Sequence, residues 1–282
     1  MIPIILWSLN PVVTRFLVTR GSGVFELITY RSIGALFLSL FLFHRKDKSN
    51  SKLFSSFSEL LPGIFLFLNF VAFNIALKYL SSYLVMIIEA SSFVFSFLFA
   101  RLTKEKIKFF KPSFLLYFLG IFLLLFDAKN KGSNTLVSGL IFAILASLTF
   151  GLYNSTLKYI RKNENKLFAT VLPVFLLSLP FTILEFEEKM FLPLRVFNLI
   201  IILGFILTAV PYSLWAEAGK RFSGFRLSEF FLLTLPGTFI IEYLWLGVSV
   251  SLFQIIASII LISALILETL LSISFSTSES SS

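Results

Sequence analysis

Residues 82–101, read SYLVMIIEASSFVFSFLFAR, constrain this chain more than any other stretch. Twenty residues of helix, at 1.5 Å each, cross a hydrocarbon core of about 30 Å. Only Glu89 and Arg101 carry charge. Arg101 stands at the end, where its long stem lets the guanidinium reach the headgroups. Glu89 stands about a third of the way in. A carboxylate at that depth costs roughly 2.5 kcal/mol or more unless it faces protein or water. A chain built around such a segment crosses a membrane and shelters an acid inside it.

The rest of the sequence agrees. Of its 282 residues, 57% are hydrophobic and 14% charged, and mean hydropathy is +0.93; a soluble domain carries about 25% charged residues. The first apolar run, 2–18, has no basic region before it and no small-residue cleavage site, so it is expected to stay as a span. With no cysteine, disulfides, thiolate metal sites and thiol nucleophiles are excluded. The net charge of +9 is spread over loops rather than interleaved with aromatics, which points to a membrane surface and not to nucleic acid.

Ten spans are expected, at about 2–19, 25–43, 60–78, 83–101, 112–127, 136–158, 167–184, 196–216, 227–246 and 252–271. Short links between most of them suit antiparallel neighbours in a bundle. With the N-terminus inside, sixteen of the 24 basic residues fall in inside loops and six in outside loops. That bias puts both termini in the cytoplasm of a multi-pass plasma-membrane protein, in a bacterium the inner membrane. The Ser-rich end, 272–282, reads as a disordered tail.

An internal repeat supports two halves, 1–131 and 132–271. Trp7-Ser8-Leu9-Asn10 with Arg15 resembles Phe150-Gly151-Leu152-Tyr153 with Lys158, and Ala76-Leu77-Lys78 with Ser81 resembles Ala218-Gly219-Lys220 with Ser223. The offset is about half the chain. Each half then holds five spans, and an odd number makes the second half insert upside down. Inverted repeats of this kind serve transporters, with a site near the midplane.

Polar groups inside spans are the candidate site residues, because hydrocarbon penalises them unless they are paired. Glu89 is the first candidate, for a cationic group or a proton. Trp7, Asn10, Asn69, Asn74, Tyr153, Asn154, Tyr212, Trp215 and Glu242 are candidate cavity contacts. Arg15 and Arg31 are expected in structural charge pairs, Arg31 with Glu89 or Glu26. Pro11 and Pro236 are expected to break their helices. No metal-ligand cluster, catalytic triad spacing or phosphate loop is present, so neither an enzyme nor a metal or organic cofactor is expected.

WSLNPVVTR at 7–15 resembles the first-helix signature of the drug/metabolite transporter superfamily, EamA type. ALKYLSS at 76–82, LTKEKI at 102–107, LWAEAGKRFSG at 214–224 and LTLPGTF at 233–239 resemble further segments of that family. The chain keeps Glu105 and Pro236. It departs at Ser8, where Gly is usual, at Ser92, where the family commonly has Pro, and at Gly247-Val248, where Gly-Glu is usual. The resemblance implies an all-α protein of ten transmembrane helices in two inverted repeats. It also implies export or exchange of a small metabolite from a central cavity lined by helices 1, 3, 4, 6, 8 and 9. The expected partners are a small polar or amphipathic molecule, the lipid bilayer and a coupling proton or sodium ion. An uncoupled channel-like uniporter is the alternative, a non-transporting membrane protein a weaker one, and oligomeric state is not specified.

Overall fold

The computed structural model describes residues 2–44, 57–103, 136–160, 166–187, 194–219, 221–247 and 251–253, and separate residues within 115–126 and 255–267. Among these, eight helical spans are long and apolar enough to cross a bilayer. They are Ile2–Thr19, Val24–Phe41, Phe57–Tyr79, Ser82–Leu102, Val137–Tyr159, Leu167–Glu185, Phe197–Ala218 and Gly224–Leu246. They coincide with eight of the ten expected spans. The other two, 112–127 and 252–271, lie largely outside the described residues, as do Glu105 and the Ser-rich tail.

The helices are α1 (Ile2–Thr19), α2 (Val24–His44), α3 (Leu61–Tyr79), α4 (Ser82–Ala90), α5 (Ser92–Leu102), α6 (Leu136–Thr156), α7 (Lys166–Glu187), α8 (Leu194–Gly204), α9 (Val210–Ala218), α10 (Gly224–Phe231) and α11 (Thr234–Leu246). The tightest pairing is α3 on α6; α2 lies on α7 and α8, α1 on α11, and α5 on α6. Their shared core joins both halves of the chain, with Leu66, Leu77, Met86, Ile87, Phe150 and Phe225 fully buried. Large side chains such as Ile141, Leu176, Leu184, Leu199, Ile240 and Leu244 stay exposed along the outer faces. In water such a surface would aggregate; against lipid tails it is the expected one.

Three spans are interrupted, each for a local reason. The fourth breaks at Ser91 between α4 and α5, where Ser91 N–H donates to Ile88 O and Val94 N–H to Ser91 O. These three-residue closures tighten the turn, and Ser91 Oγ holds it by donating to Ile88 O at 2.6 Å. The eighth breaks between α10 and α11 by the same device, Leu232 N–H to Glu229 O and Leu235 N–H to Leu232 O. In the seventh, α8 passes through a π-helical turn, Phe205–Ala209, into α9. Pro211 follows at once, and the wider turn makes room for its ring and its missing N–H.

The two expected proline breaks resolve differently. Helix α1 runs through Pro11 without interruption. Pro236 sits in the first turn of α11, a position that tolerates proline, and the break precedes it.

The π-helical turn is fixed by close backbone packing. A Cβ on Gly34 of α2 would strike the Ile201 carbonyl oxygen and stand 2.9 Å from Phe205 N; one on Gly204 would strike the Arg31 backbone. Only hydrogen at both positions lets α2 and α8 approach so closely. Backbone cannot swing aside as a side chain can. Gly34→Ala should therefore cost about 1–3 kcal/mol, seen as a lower thermal midpoint of the detergent-purified protein.

Candidate functional site

Glu89 lies about a third of the way along the fourth span, seven residues from Ser82 and seven from Ser96. That is about 10 Å each way. Beside it is a cavity of about 20 Å3, room for about one water molecule. Asn10, Arg31, Asn69, Asn74 and Glu89 form its polar wall, and Trp7, Phe70, Phe150, Tyr212 and Phe231 are prominent on its apolar wall. Trp7 is the hub of the rings, edge-on to Tyr212 at 5.0 Å, Trp215 at 4.7 Å and Phe231 at 5.6 Å.

The polar wall is partly satisfied. Asn69 Nδ2 donates to Glu89 Oε1 at 2.7 Å and to Ala146 O at 3.0 Å, tying α3 to α4 and α6. Asn74 Nδ2 donates to Phe70 O within its own helix. Trp7 Nε1, Asn74 Oδ1 and the Tyr153 hydroxyl are buried with no hydrogen-bond partner among the described residues. Each such group costs about 1–3 kcal/mol. Trp7 and Asn74 line the cavity, whereas Tyr153 does not.

Arg31 departs from the expected charge pair. Its Nε and Nη2 donate to Thr208 Oγ1 at 3.1 and 2.8 Å, and Nη1 donates to Thr14 Oγ1 at 3.1 Å. Among the described residues no carboxylate bonds it. The π-helical turn is what brings Thr208 under the guanidinium, a contact that nothing in the spacing of the sequence signals.

Both ends of the cavity are bridged between the fourth and eighth spans, which run antiparallel. At one end Glu242 of α11 accepts the N–H groups of Ser82 (3.1 Å) and Tyr83 (3.0 Å) at the start of α4, and Arg15 Nη1 donates to it at 2.8 Å. Arg15 is thereby paired with Glu242, which stands at the end of the cavity and does not line it. At the other end Ser96 Oγ and Ser228 Oγ lie 2.8 Å apart. Asn154 Nδ2 donates to Ser228 Oγ and Trp215 Nε1 to Asn154 Oδ1, both at 2.8 Å. Asn154 and Trp215 therefore close this end instead of lining the cavity, and Tyr153 packs behind it against Phe150 and Tyr212.

Of the ten expected contacts, Trp7, Asn10, Asn69, Asn74, Glu89 and Tyr212 meet at the cavity. Sequence reasoning missed Ser96, Ser228, Met86 and the phenylalanine walls. The seven-residue spacing Ser82, Glu89, Ser96, close to two helical turns, was the signal for the first of these.

Eight apolar spans around a polar site inside the bundle define a multi-pass membrane protein. The sequence model of the EamA-like transporter family matches residues 1–126 and 137–270, and the chain belongs to that family. Membership makes it a membrane transporter of the drug/metabolite type, with a small-molecule substrate and a bilayer as its surroundings. A solved structure described as the crystal structure of a protein is similar, with a TM-score of 0.71, 17% identity and 95% of each chain covered. That likeness shows a shared fold. No curated protein sequence matches the chain.

The Arg15–Glu242 clasp yields an asymmetric expectation. Glu242, 2% exposed in its side chain, has three partners; Arg15, 28% exposed, has one. Glu242→Ala strands two backbone donors and should cost about 3 kcal/mol or more. Arg15→Ala should cost clearly less, and the double variant should be no worse than Glu242→Ala alone. Unfolding midpoints in detergent for the three variants would check this.

Proposed function

We propose that the chain is a secondary transporter that moves a small polar or amphipathic metabolite by alternating access through the cavity beside Glu89. The observation that carries this reading is the crossing of the two broken spans. The fourth and eighth spans each start at a serine N-cap, Ser81 and Ser223, with matching backbone angles (φ −65° for both, ψ 153° and 158°). Each runs for a short helix, breaks, and continues. They touch at both ends and leave the cavity between.

This likeness supports ten helices in two inverted five-helix repeats, 1–131 and 132–271. The family match in two segments of corresponding extent supports it too. So does the packing: α1 lies along α11 as α6 lies along α5. Two half-chains of similar shape and opposite direction give two arrangements of similar energy, each open at one end. The bias of Lys and Arg supports a plasma-membrane protein with both termini in the cytoplasm. In that orientation the Glu242 clasp faces outward and the Ser96–Ser228 contact faces the cytoplasm.

Opening can be tested without knowing the solute. The chain has no cysteine, and Met86 lines the cavity, which as it stands is far too small for a thiol reagent. A Met86→Cys variant should react with a membrane-impermeant maleimide from both faces, in right-side-out and in inverted vesicles. Adding Ser96→Cys and Ser228→Cys and oxidising the pair should block labelling from one face only. Labelling from neither face, or from both faces of the oxidised protein, would overturn alternating access.

A further inference from the structure

Helices α5 and α10 pack side by side at the end closed by Ser96 and Ser228. Arg101 lies over the Phe97 ring, with Cζ 5.3 Å from its centroid, and Arg226 lies over the Phe225 ring at 6.0 Å. Those two rings meet across the seam, their centroids 5.8 Å apart. Guanidinium groups from two helices are thus laid on one aromatic pair. Arg226 Nη1 donates to Glu229 Oε2 at 2.8 Å, which holds it in place. Among the described residues no carboxylate bonds Arg101, which is exposed. Arg221, in the turn before α10, is exposed too. The flanking sequence is just as basic: 101–111, 158–166 and 217–226 hold twelve Lys and Arg against three Glu. Insertion favours basic loops on one side of a membrane, but it does not require two arginines on touching rings at a helix seam.

Beside these charges the surface is apolar. Leu98 and Leu102, one turn apart on α5, are exposed, and so is Phe222, edge-on to Phe230 at 5.3 Å. The seam therefore offers phosphate donors next to bare hydrocarbon.

We propose that an anionic phospholipid binds at this seam, its phosphate held by Arg101 and Arg226 and its acyl chains against Leu98 and Leu102. Guanidinium takes phosphate oxygens two at a time, and the ring beneath keeps it oriented. A soluble anion would match the arginines and leave the leucines uncovered. A zwitterionic lipid would bring a cation into a basic site. A lipid with net negative charge meets both demands. A phosphate shared by the two arginines also ties α5 to α10, the helices that make the Ser96–Ser228 contact. In the orientation proposed above this is the inner leaflet. The inference needs the membrane setting and is independent of alternating access.

Native mass spectrometry of the full chain in neutral detergent tests the site with phosphatidylglycerol and phosphatidylcholine of the same acyl chains. Phosphatidylglycerol should bind about tenfold tighter and saturate. Arg101→Gln, a change at an exposed side chain, should weaken phosphatidylglycerol about fivefold and leave phosphatidylcholine unchanged. Arg20→Gln is the matched control, because Arg20 is also exposed and lies over a ring, Phe16, at the opposite end; it should change neither. Inorganic phosphate should not displace the lipid. Equal affinity for the two lipids, or equal loss in the two variants, overturns the site, because charge then acts diffusely. Displacement by inorganic phosphate overturns it as well, by showing an anion site with no use for acyl chains. None of these outcomes bears on the transporter reading, which stands or falls on two-sided labelling of the Met86→Cys variant.

Discussion

A helix that begins inside a membrane bundle leaves its first N–H groups without partners, and hydrocarbon offers none. This protein meets that demand with carboxylates from other spans. Glu185 of α7 accepts the N–H groups of Val24, Phe25 and Glu26, all at 3.0 Å, while Glu26 Oε2 accepts Gly23 N–H. The start of α2 is thereby satisfied in full, and a Cβ on Gly23 would collide with Glu185. Glu242 does the same for α4. An acid placed on a helix N-terminus also meets the positive end of the helix dipole. The capping needs and the packing of distant spans are thus one set of contacts, and the positions of α2 against α7 and of α4 against α11 depend on it.

The breaks follow the same logic. Interrupting a span frees backbone groups, which is tolerable only where protein covers them. At Ser91 the freed groups close on themselves, and Ser91 Oγ also reaches Ser147 Oγ at 2.9 Å. Glu89 stands just before that break, and Asn69 anchors it to α3 and α6. A polar centre is therefore built beside the break, inside the bundle.

Eight of the ten spans expected from the sequence are found among the described residues, because length and apolarity decide them. The sequence also singles out Glu89, because depth in an apolar run is itself a cost. Partners were harder. Hydrocarbon says which side chains must be matched but not by what, and Arg15 and Glu242 are 227 residues apart. Arg31, for which the sequence suggests an acid, holds two hydroxyls; Glu242, Asn154 and Trp215, polar groups inside spans like those of the cavity wall, seal its ends instead. The break at Ser91 needed neither proline nor glycine, so no residue type announced it. The π-helical turn could have been suspected from Pro211 in an otherwise regular span, yet its use, to deliver Thr208, depends on α2 lying alongside. Composition locates the costly groups, and only the packed bundle decides how each one is met.

The Trp7–Trp215 contact has a spectroscopic consequence. The chain holds three tryptophans. Two of them stand edge to face at 4.7 Å in a buried aromatic cluster, while Trp245 is half exposed at the end of α11. Trp7 belongs to the cavity wall and Trp215 to the seal at one end. Any movement that parts the seal from the wall separates two coupled indoles and lets a more polar medium reach them. The pair is therefore an intrinsic optical reporter of any such movement, and a Trp245→Phe background would leave it as the chain's only tryptophan emitters.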